Sequence, residues 1–383
     1  MTAAEDTWRD PKRYYWLMGL VIPAFPFLSW ALVEVTGQGV FWWTGVIVLY
    51  AVFPVVDQLM GKDSGNPPES ALAWLEQDRY YRWCTYLYLP LQYAGLVLGC
   101  WLLTSGDLGW ASRVGLTVTL GGVAGIGINT AHELGHKKES VERWLSKVAL
   151  AQTCYGHFFI EHNRGHHVRV ATPDDPASAR MGESFWRFLP RTVVGSLRSA
   201  WHLEEARLRR RGKSPWTHQN DVLNAWAMSL VLFGALTLAF GPAVLPYLAG
   251  QAVFGFCLLE VINYTEHYGL LRRRLENGRY ERCAPRHSWN SDNVASNVFL
   301  YHLQRHSDHH AHPVRRYQSL RHFEEAPELP TGYAGMIVMA YFPPLWYRVM
   351  DKRVLAAYDG DITRANIQPS RRARLLARYG AAA

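Results

Sequence analysis

Nine of the sixteen histidines lie in four short groups whose spacing suits metal binding. Residues four apart share one face of a helix, so a pair of histidines at this spacing can direct both imidazoles to one place. Three pairs have this spacing: His132 and His136, His162 and His166, and His306 and His310. The adjacent His167 and His309 point to a neighbouring face, where they can serve a second centre. The four groups are HELGHK (132–137), EHNRGHH (161–167), NYTEHYG (263–269) and LQRHSDHH (303–310).

The number of clustered histidines indicates more than one metal. Neutral imidazole is a good ligand for iron, zinc, copper and nickel, and nine imidazoles exceed what one metal can hold. We expect two metals that share the nine nitrogens as five and four, which leaves coordination positions open for O2 and its products. The candidate metal ligands, which are also the candidate catalytic residues, are His132, His136, His162, His166, His167, His267, His306, His309 and His310.

Carboxylates are expected around these histidines. An all-nitrogen site leaves the charge of two divalent ions uncompensated, so acidic side chains should accept hydrogen bonds from the outer imidazole N–H groups. Glu260 is notable because it lies inside an apolar segment, where an ionisable residue indicates function. The candidate residues are Glu133, Glu161, Glu260, Glu266, Asp308, Asn129 and Asn263. The seven other histidines are interpreted as structural, with His287 and His312 the nearest competitors for a ligand position.

The elements that must position these groups are apolar segments of membrane-spanning length. A spanning helix needs roughly 20 mostly apolar residues, and helices buried in soluble proteins seldom stay apolar all round for so long. The sequence predicts an all-α integral membrane protein, a single domain over 1–383, with a cytoplasmic helical cap formed by 132–219 and 267–383. The six predicted spans are 14–35, 39–60, 85–105, 109–131, 221–241 and 244–266.

The distribution of basic residues predicts the orientation in the membrane. The short connections 36–38, 106–108 and 242–243 contain no Lys or Arg, whereas the longer polar segments hold nearly all of them. The positive-inside rule then places both termini and the histidines in the cytoplasm. The net charge of +8 therefore reflects topology and does not indicate nucleic-acid binding. The five cysteines include no C-x-x-C pair, so the sequence encodes no rubredoxin-type iron site of its own.

The four histidine motifs resemble those of the AlkB-type membrane-bound alkane hydroxylases, in the membrane fatty acid desaturase/hydroxylase superfamily. The resemblance covers nearly the whole chain, including the stretches 171–184 and 287–297. It implies a non-haem di-iron centre with two iron ions, and O2-dependent hydroxylation of n-alkanes to 1-alkanols. It also implies electrons from a rubredoxin, an NADH-dependent rubredoxin reductase upstream, and a place in the bacterial cytoplasmic (inner) membrane.

Other functions remain open at this point. Acyl-lipid desaturases typically space their second group H-x-x-H-H, one residue shorter than here, and the His267 motif is an addition, so hydroxylation is favoured. A hydroxylase or desaturase acting on fatty-acyl or alkyl-aromatic substrates is the alternative. HELGH also matches the H-E-x-x-H of zinc metalloproteases, with Glu133 as base, but this leaves most of the clustered histidines unexplained. A metal transporter would place ionisable residues along a path across the bilayer rather than at one face.

An alkane offers no polar group for recognition, and its secondary C–H bonds are weaker than its terminal ones. Terminal selectivity must therefore come from shape, and we expect a narrow apolar tunnel from the lipid to the metals. The candidate wall residues are Leu49, Tyr50, Phe53, Gly125, Leu259 and Ile262. An acidic rubredoxin should dock on a basic surface, for which the candidates are Arg207, Arg209, Arg210, Arg211, Lys213 and the run 272–274.

Overall fold

The computed structural model describes residues 8–380 of the chain. Within that range the chain forms helices joined by loops, and its only β-structure is a few isolated bridges. Five helical segments are long and apolar enough to cross a membrane, so the chain is a multi-pass membrane protein and the predicted all-α class is confirmed. We number them span 2 (Gly39–Met60), span 3 (Arg79–Ser105), span 4 (Trp110–Gly135), span 5 (Asp221–Phe240) and span 6 (Pro242–Glu266).

The first predicted span is a bent pair of helices rather than one straight helix. Tyr15–Val21 and Phe25–Thr36 together pass the same test of length and composition, but their axes differ by 64°. Pro23 and Pro26 lie at the bend. Proline has no N–H to donate and its ring clashes with the preceding turn, so a continuous helix is interrupted here. The prediction of six spans holds when this bent pair is counted as span 1.

Spans 4 and 6 pack directly against each other and form the centre of the molecule. Glycines make the close approach possible: a Cβ atom on Gly125 would lie 2.8 Å from the carbonyl oxygen of Gly255, and one on Gly121 would lie 2.8 Å from that of Gln251. Because the two helices are in register, His132 near the end of span 4 and His267 just after span 6 reach the same side of the bundle.

The remaining helices assemble at this polar end. The α-helices among them of six residues or more are Glu69–Gln77, Ser140–Ala151, Phe185–Arg209, Val294–Phe299, His306–Ala311, Tyr333–Ala340, Pro343–Ala357 and Arg372–Tyr379. One of them runs back along the spans: the Gln251 side chain of span 6 donates a hydrogen bond to the Gln152 carbonyl at 2.5 Å. Gln251 lies 15 residues before Glu266, which is about 22 Å along a helix axis. Part of the segment 132–219 therefore lies beside the spans.

The stretch 287–297 ties the polar helices to spans 2 and 6. The Trp289 backbone N–H donates to the Glu266 carbonyl at 2.8 Å, and its indole N–H donates to the Tyr268 carbonyl at 2.9 Å. At span 2, the buried Asp57 carboxylate accepts hydrogen bonds from the backbone N–H of Ser296, at 2.7 Å, and from its hydroxyl. These contacts hold the loop that leads to His306–Ala311 against the ends of two spans.

Candidate metal centre

All nine predicted ligands meet in one layer at the polar ends of spans 4 and 6. His132 and His136 end span 4 or follow it, and His267 follows span 6 directly. The other six come from two short helical segments, Glu161–His166 with its continuation His167–Arg169, and His306–Ala311. Because these segments are separated widely in sequence, only the packing of the spans and the cap brings them together.

The nine histidines form two groups, and within each group the ligand atoms all lie within 4.8 Å of one another. The division into five and four is the one expected from the sequence. The five-histidine group is His132, His136, His162, His167 and His309. The four-histidine group is His166, His267, His306 and His310.

The second motif divides between the groups in a way that differs from the expected pairing. Glu161–His166 is a π-helical turn, in which residues five apart are aligned. The Nε2 atoms of His162 and His167 lie 3.0 Å apart in the five-histidine group, while His166 belongs to the four-histidine group. The expectation that His162 and His166 point to one place was therefore wrong. As expected, the adjacent His309 and His310 belong to different groups: His309 to the five-histidine group and His310 to the four-histidine group.

The ring nitrogens of each group converge, as the ligand atoms of a metal ion do. The Nε2 atoms of His132 and His309 lie 2.8 Å apart, and those of His306 and His310 lie 2.9 Å apart. A pair of neutral imidazoles can place only one proton between two such nitrogens. The Nε2 atoms of His136 and His166 are buried without a hydrogen-bond partner among the described residues. A metal ion at each group would satisfy these converging lone pairs.

Burial keeps these side chains in the form that binds metal. It lowers the pKa of His267 to about 3 and holds the pKa of His162 and His309 well below the ordinary value. Metal coordination requires the neutral imidazole. These three imidazoles are therefore held neutral, and the converging nitrogens of both groups fit a metal ion in each.

The acid that supports a ligand from outside is Asp175, which the sequence reasoning missed. Its carboxylate lies 2.9 Å from Nδ1 of His166 and also accepts a hydrogen bond from the Ser178 hydroxyl at 2.6 Å. Burial alone would lower the pKa of His166, but the Asp175 carboxylate outweighs it and leaves that pKa raised. Asp175 lies in the stretch 171–184, whose resemblance was noted without a role; nothing in the sequence distinguishes it from Asp174 beside it.

Three of the predicted acids have other partners. Glu133 forms an ion pair with Lys137 at 2.9 Å, and Glu161 forms one with Arg169 at 2.7 Å. Asp308 binds Arg315 at 2.6 Å and the imidazole of His312 at 2.7 Å. These acids brace the segments that carry the ligands.

His287 and His312 were the nearest competitors for a ligand position. Among the described residues, neither belongs to the five-histidine group or the four-histidine group. The His287 carbonyl lies 3.1 Å from Nδ1 of His267 and so supports that ligand from outside.

Glu266 and Glu260 lie on the membrane side of the centre. One oxygen of Glu266 lies 3.2 Å from Nε2 of His306, the nitrogen that converges with the other ligands, and the other oxygen accepts a hydrogen bond from the Tyr333 hydroxyl at 2.9 Å. Glu260 accepts hydrogen bonds from Tyr155, at 2.7 Å, and from Thr192 and Asn263. Both carboxylates are buried and hydrogen-bonded inside the protein.

An apolar cavity leads from the spans to both groups. His132 and His162 of one group and His306 of the other line its polar end, together with Glu266, Asn129, Asn263 and Ser296. Five of the six predicted wall residues lie on it: Leu49, Phe53, Gly125, Leu259 and Ile262. Tyr50 is not on the wall; its hydroxyl pairs with that of Tyr341 at 3.0 Å.

The five-histidine group approaches the surface through two of its ligands that do not line the cavity. His136 and His167 are partly exposed, whereas every ligand of the four-histidine group is buried. Three of the basic residues expected to attract a partner have partners within the chain. Arg207 and Arg209 pair with Glu204 and Glu205, and the buried Arg272 donates to backbone carbonyls.

Comparison with known proteins defines first the class and then the family. The fatty acid desaturase family model matches residues 108–340, the range that contains all nine clustered histidines. Among curated proteins, the chain is 49% identical to alkane 1-monooxygenase 1 of Alcanivorax borkumensis, over 97% of this chain and 92% of that one. It is 47% identical to the alkane 1-monooxygenase of Pseudomonas putida and 46% identical to that of Acinetobacter baylyi, with the same coverage.

The chain belongs to the alkane 1-monooxygenase family of membrane proteins. The resemblance inferred from the histidine motifs is therefore confirmed. A more distant relative is the hydroxylase component of a xylene/toluene monooxygenase of Pseudomonas putida, 28% identical over 70% of this chain.

Proposed function

We propose that this protein uses O2 to hydroxylate the terminal carbon of n-alkanes to 1-alkanols at a non-haem di-iron centre. The observation that carries the proposal is an apolar cavity whose polar end is lined by imidazoles of both histidine groups. Family membership supports it, because the relatives are named alkane 1-monooxygenases.

The nine histidines would hold one iron in each group. The irons, when bound, supply the activation of O2 and the insertion of one oxygen atom into a C–H bond. Four positive charges in a buried layer need nearby negative charge. Asp175 supplies it behind His166, and Glu266 supplies it on the cavity side of His306. Glu266 is also placed to hold a proton beside the polar end of the cavity.

The cavity would bind the alkane by shape alone. Its walls on spans 2, 4 and 6 are apolar, and its polar atoms are gathered at the histidine end. A chain that enters lengthwise can present only its end to the metals, which favours the terminal carbon despite its stronger C–H bonds. The alkane reaches the cavity from the hydrocarbon of the membrane, so its transfer into an apolar cavity gains little free energy. The affinity of the protein for the alkane should therefore be weak.

Electrons would come from rubredoxin at the surface where His136 and His167 are partly exposed. Val168 is 64% exposed and Val314 53%, and each lies next to this edge: Val168 follows His167, and the Val314 carbonyl faces Lys137. Lys138, next to Lys137 in the sequence, is exposed. Exposed apolar residues with a lysine near them suit a transient, electrostatically steered complex with an acidic carrier. We place this surface in the cytoplasm, and the protein in the bacterial inner membrane, from the distribution of Lys and Arg.

Reconstitution of the purified protein tests the proposal. The iron-loaded protein in lipid vesicles, supplied with NADH, rubredoxin reductase, rubredoxin, O2 and n-octane, should release 1-octanol and contain two irons per chain. A preparation that contains zinc and no iron would exclude the di-iron centre. A product mixture dominated by 2-octanol would exclude end-on presentation of the substrate.

A further inference from the structure

Two cavities lie one above the other between the same two helices, away from the histidine groups. The upper one is lined by Ser140, Arg143, Trp144 and Lys147 of the Ser140–Ala151 helix and by Asp221 at the start of span 5. The lower one, an open groove, is lined by apolar residues of the same two helices and by Tyr93 of span 3. Its lining is Tyr93, Val148, Ala151, Ala227, Met228, Val231, Leu232 and Ala235.

We propose that this pair of cavities is a binding site for one anionic phospholipid, with its headgroup in the upper cavity and an acyl chain in the lower one. The site is independent of the metal centre and of the proposed reaction. A polar compartment directly above an apolar groove matches the two chemically distinct halves of such a lipid.

The upper cavity offers free positive charge. Arg143 is exposed, and among the described residues its guanidinium forms no ion pair; it lies 5.8 Å from the centre of the Phe159 ring. Asp221, the acid in this cavity, is already bound by Lys147 at 2.7 Å and by Arg164 at 3.1 Å. A phosphate would therefore meet the guanidinium of Arg143 rather than an unpaired carboxylate. Arginine binds phosphate oxygens through two parallel N–H donors.

The aromatic residues mark the level of the headgroup. Trp144 is half-exposed and its ring lies 4.5 Å from the ammonium group of Lys147. In the loop before span 5, Trp216 is 74% exposed and packs against Trp201 of the Phe185–Arg209 helix, with ring centroids 4.9 Å apart. Tryptophan is enriched where hydrocarbon meets the polar headgroups. Trp144 itself lines the upper cavity, which agrees with a headgroup position there.

The depth of the lower groove fits one acyl chain. Its residues on span 5 run from Ala227 to Ala235, six to fourteen residues beyond Asp221. At 1.5 Å per residue they lie about 9 to 21 Å below Asp221, so the groove is about 12 Å long. One leaflet of hydrocarbon is about 15 Å thick, so the groove fits within it. The small side chains of Ala151, Ala227 and Ala235 leave the room between the helices.

Lipid retention tests the proposal. The full chain is purified from membranes that contain both phosphatidylglycerol and phosphatidylethanolamine, and bound lipid is counted by native mass spectrometry. Wild type should retain one phosphatidylglycerol per chain. Arg143→Glu should retain at least fivefold less, and Ala227→Phe, which fills the groove without changing charge, should lose it as well. Arg210→Glu, an equal charge change at an exposed position just after the Phe185–Arg209 helix, should retain the wild-type amount.

A second measurement separates a lipid site from a phosphate site. The melting temperature of wild type in nanodiscs should rise when phosphatidylglycerol replaces part of the phosphatidylcholine, and this rise should be absent in Arg143→Glu. Inorganic phosphate should not reproduce it. Equal retention of phosphatidylglycerol by wild type and Arg143→Glu, or an equal rise with phosphate alone, would overturn the proposal.

Discussion

His162 and His167 direct their Nε2 atoms to within 3.0 Å of each other although they are five residues apart. In an α-helix this spacing would turn the two side chains away from each other, but the π-helical turn Glu161–His166 aligns them. The same turn frees His166, between them, to face the other group. One short segment thus supplies ligands to both groups, and its backbone sets the position of one group relative to the other.

The first prediction concerns the ligands themselves. Replacing any one of the nine clustered histidines by Ala should lower bound iron and reduce turnover by at least about a hundredfold, because the iron of that group loses one of its ligands. Iron per chain and 1-alkanol formation are the measurements. His218→Ala, at an exposed histidine, is the matched control and should behave as wild type. A variant that keeps full iron and full activity would remove its residue from the ligand set.

Asp175→Asn should loosen the iron held by His166. The amide keeps the size of the side chain but loses the charge that orients this imidazole, and loss of such a partner typically lowers metal affinity 10–100-fold. The rate of iron release to a chelator should rise accordingly, while the KM for the alkane stays the same. Asp174→Asn, at the exposed neighbouring position, should leave the release rate unchanged. Equal release rates from the two variants would show that Asp175 does not support the centre.

The π-helical turn can be tested at Gly165. A Cβ atom there would lie against the Glu161 carboxylate and 2.6 Å from the Arg169 guanidinium. Gly165→Ala should therefore displace the ion pair between Glu161 and Arg169 and shift His166 and His167. We expect the variant to bind less than half as much iron per chain as wild type. Gly234→Ala, on a face of span 5 with no atom within 4 Å of the added carbon, is the control. Wild-type iron in Gly165→Ala would mean that the turn absorbs the change.

Matched charge reversals can distinguish the proposed docking surface for the electron donor from the basic residues around 207–213. Lys138→Glu, beside the exposed edge of the five-histidine group, should raise the KM for rubredoxin about tenfold at low salt, with kcat at saturating rubredoxin and iron content unchanged. Lys213→Glu should change neither constant. Added salt should raise the wild-type KM because it screens surface charges. A salt-independent KM, or equal effects of the two variants, would count against docking at this edge.

The cavity wall should control which alkanes react. Leu49→Ala and Phe53→Ala enlarge the space and should extend the range to longer chains, whereas Ile262→Phe should restrict it to shorter ones, because the wall limits how far a chain can enter. The products from a series of n-alkanes are the measurement. Tyr50→Phe removes only the hydroxyl that pairs with Tyr341 and should leave the range unchanged. If none of the wall variants alters chain length or product position, the substrate does not use this cavity.

The sequence by itself determined the apolar segments, the all-α class and the nine candidate ligands, because each of these depends on residue type and short-range spacing. Length and apolar character define a spanning helix wherever it packs, and imidazole in helical doublets indicates metal binding without knowledge of its partners. The motifs also identified the family, since they combine residue types at spacings that few other proteins share.

Only the tertiary structure decided how the ligands are shared. His132 meets His309 across 177 positions of the chain, a contact that no local pattern predicts. The π-helical turn overrode the i, i+4 pairing of His162 with His166, and packing chose Asp175 rather than Asp174 as the partner of His166. The same holds for the bend in span 1 and for Gln152, which reaches deep alongside span 6. These features depend on contacts between segments distant in sequence, and such contacts are formed only when the whole chain has packed.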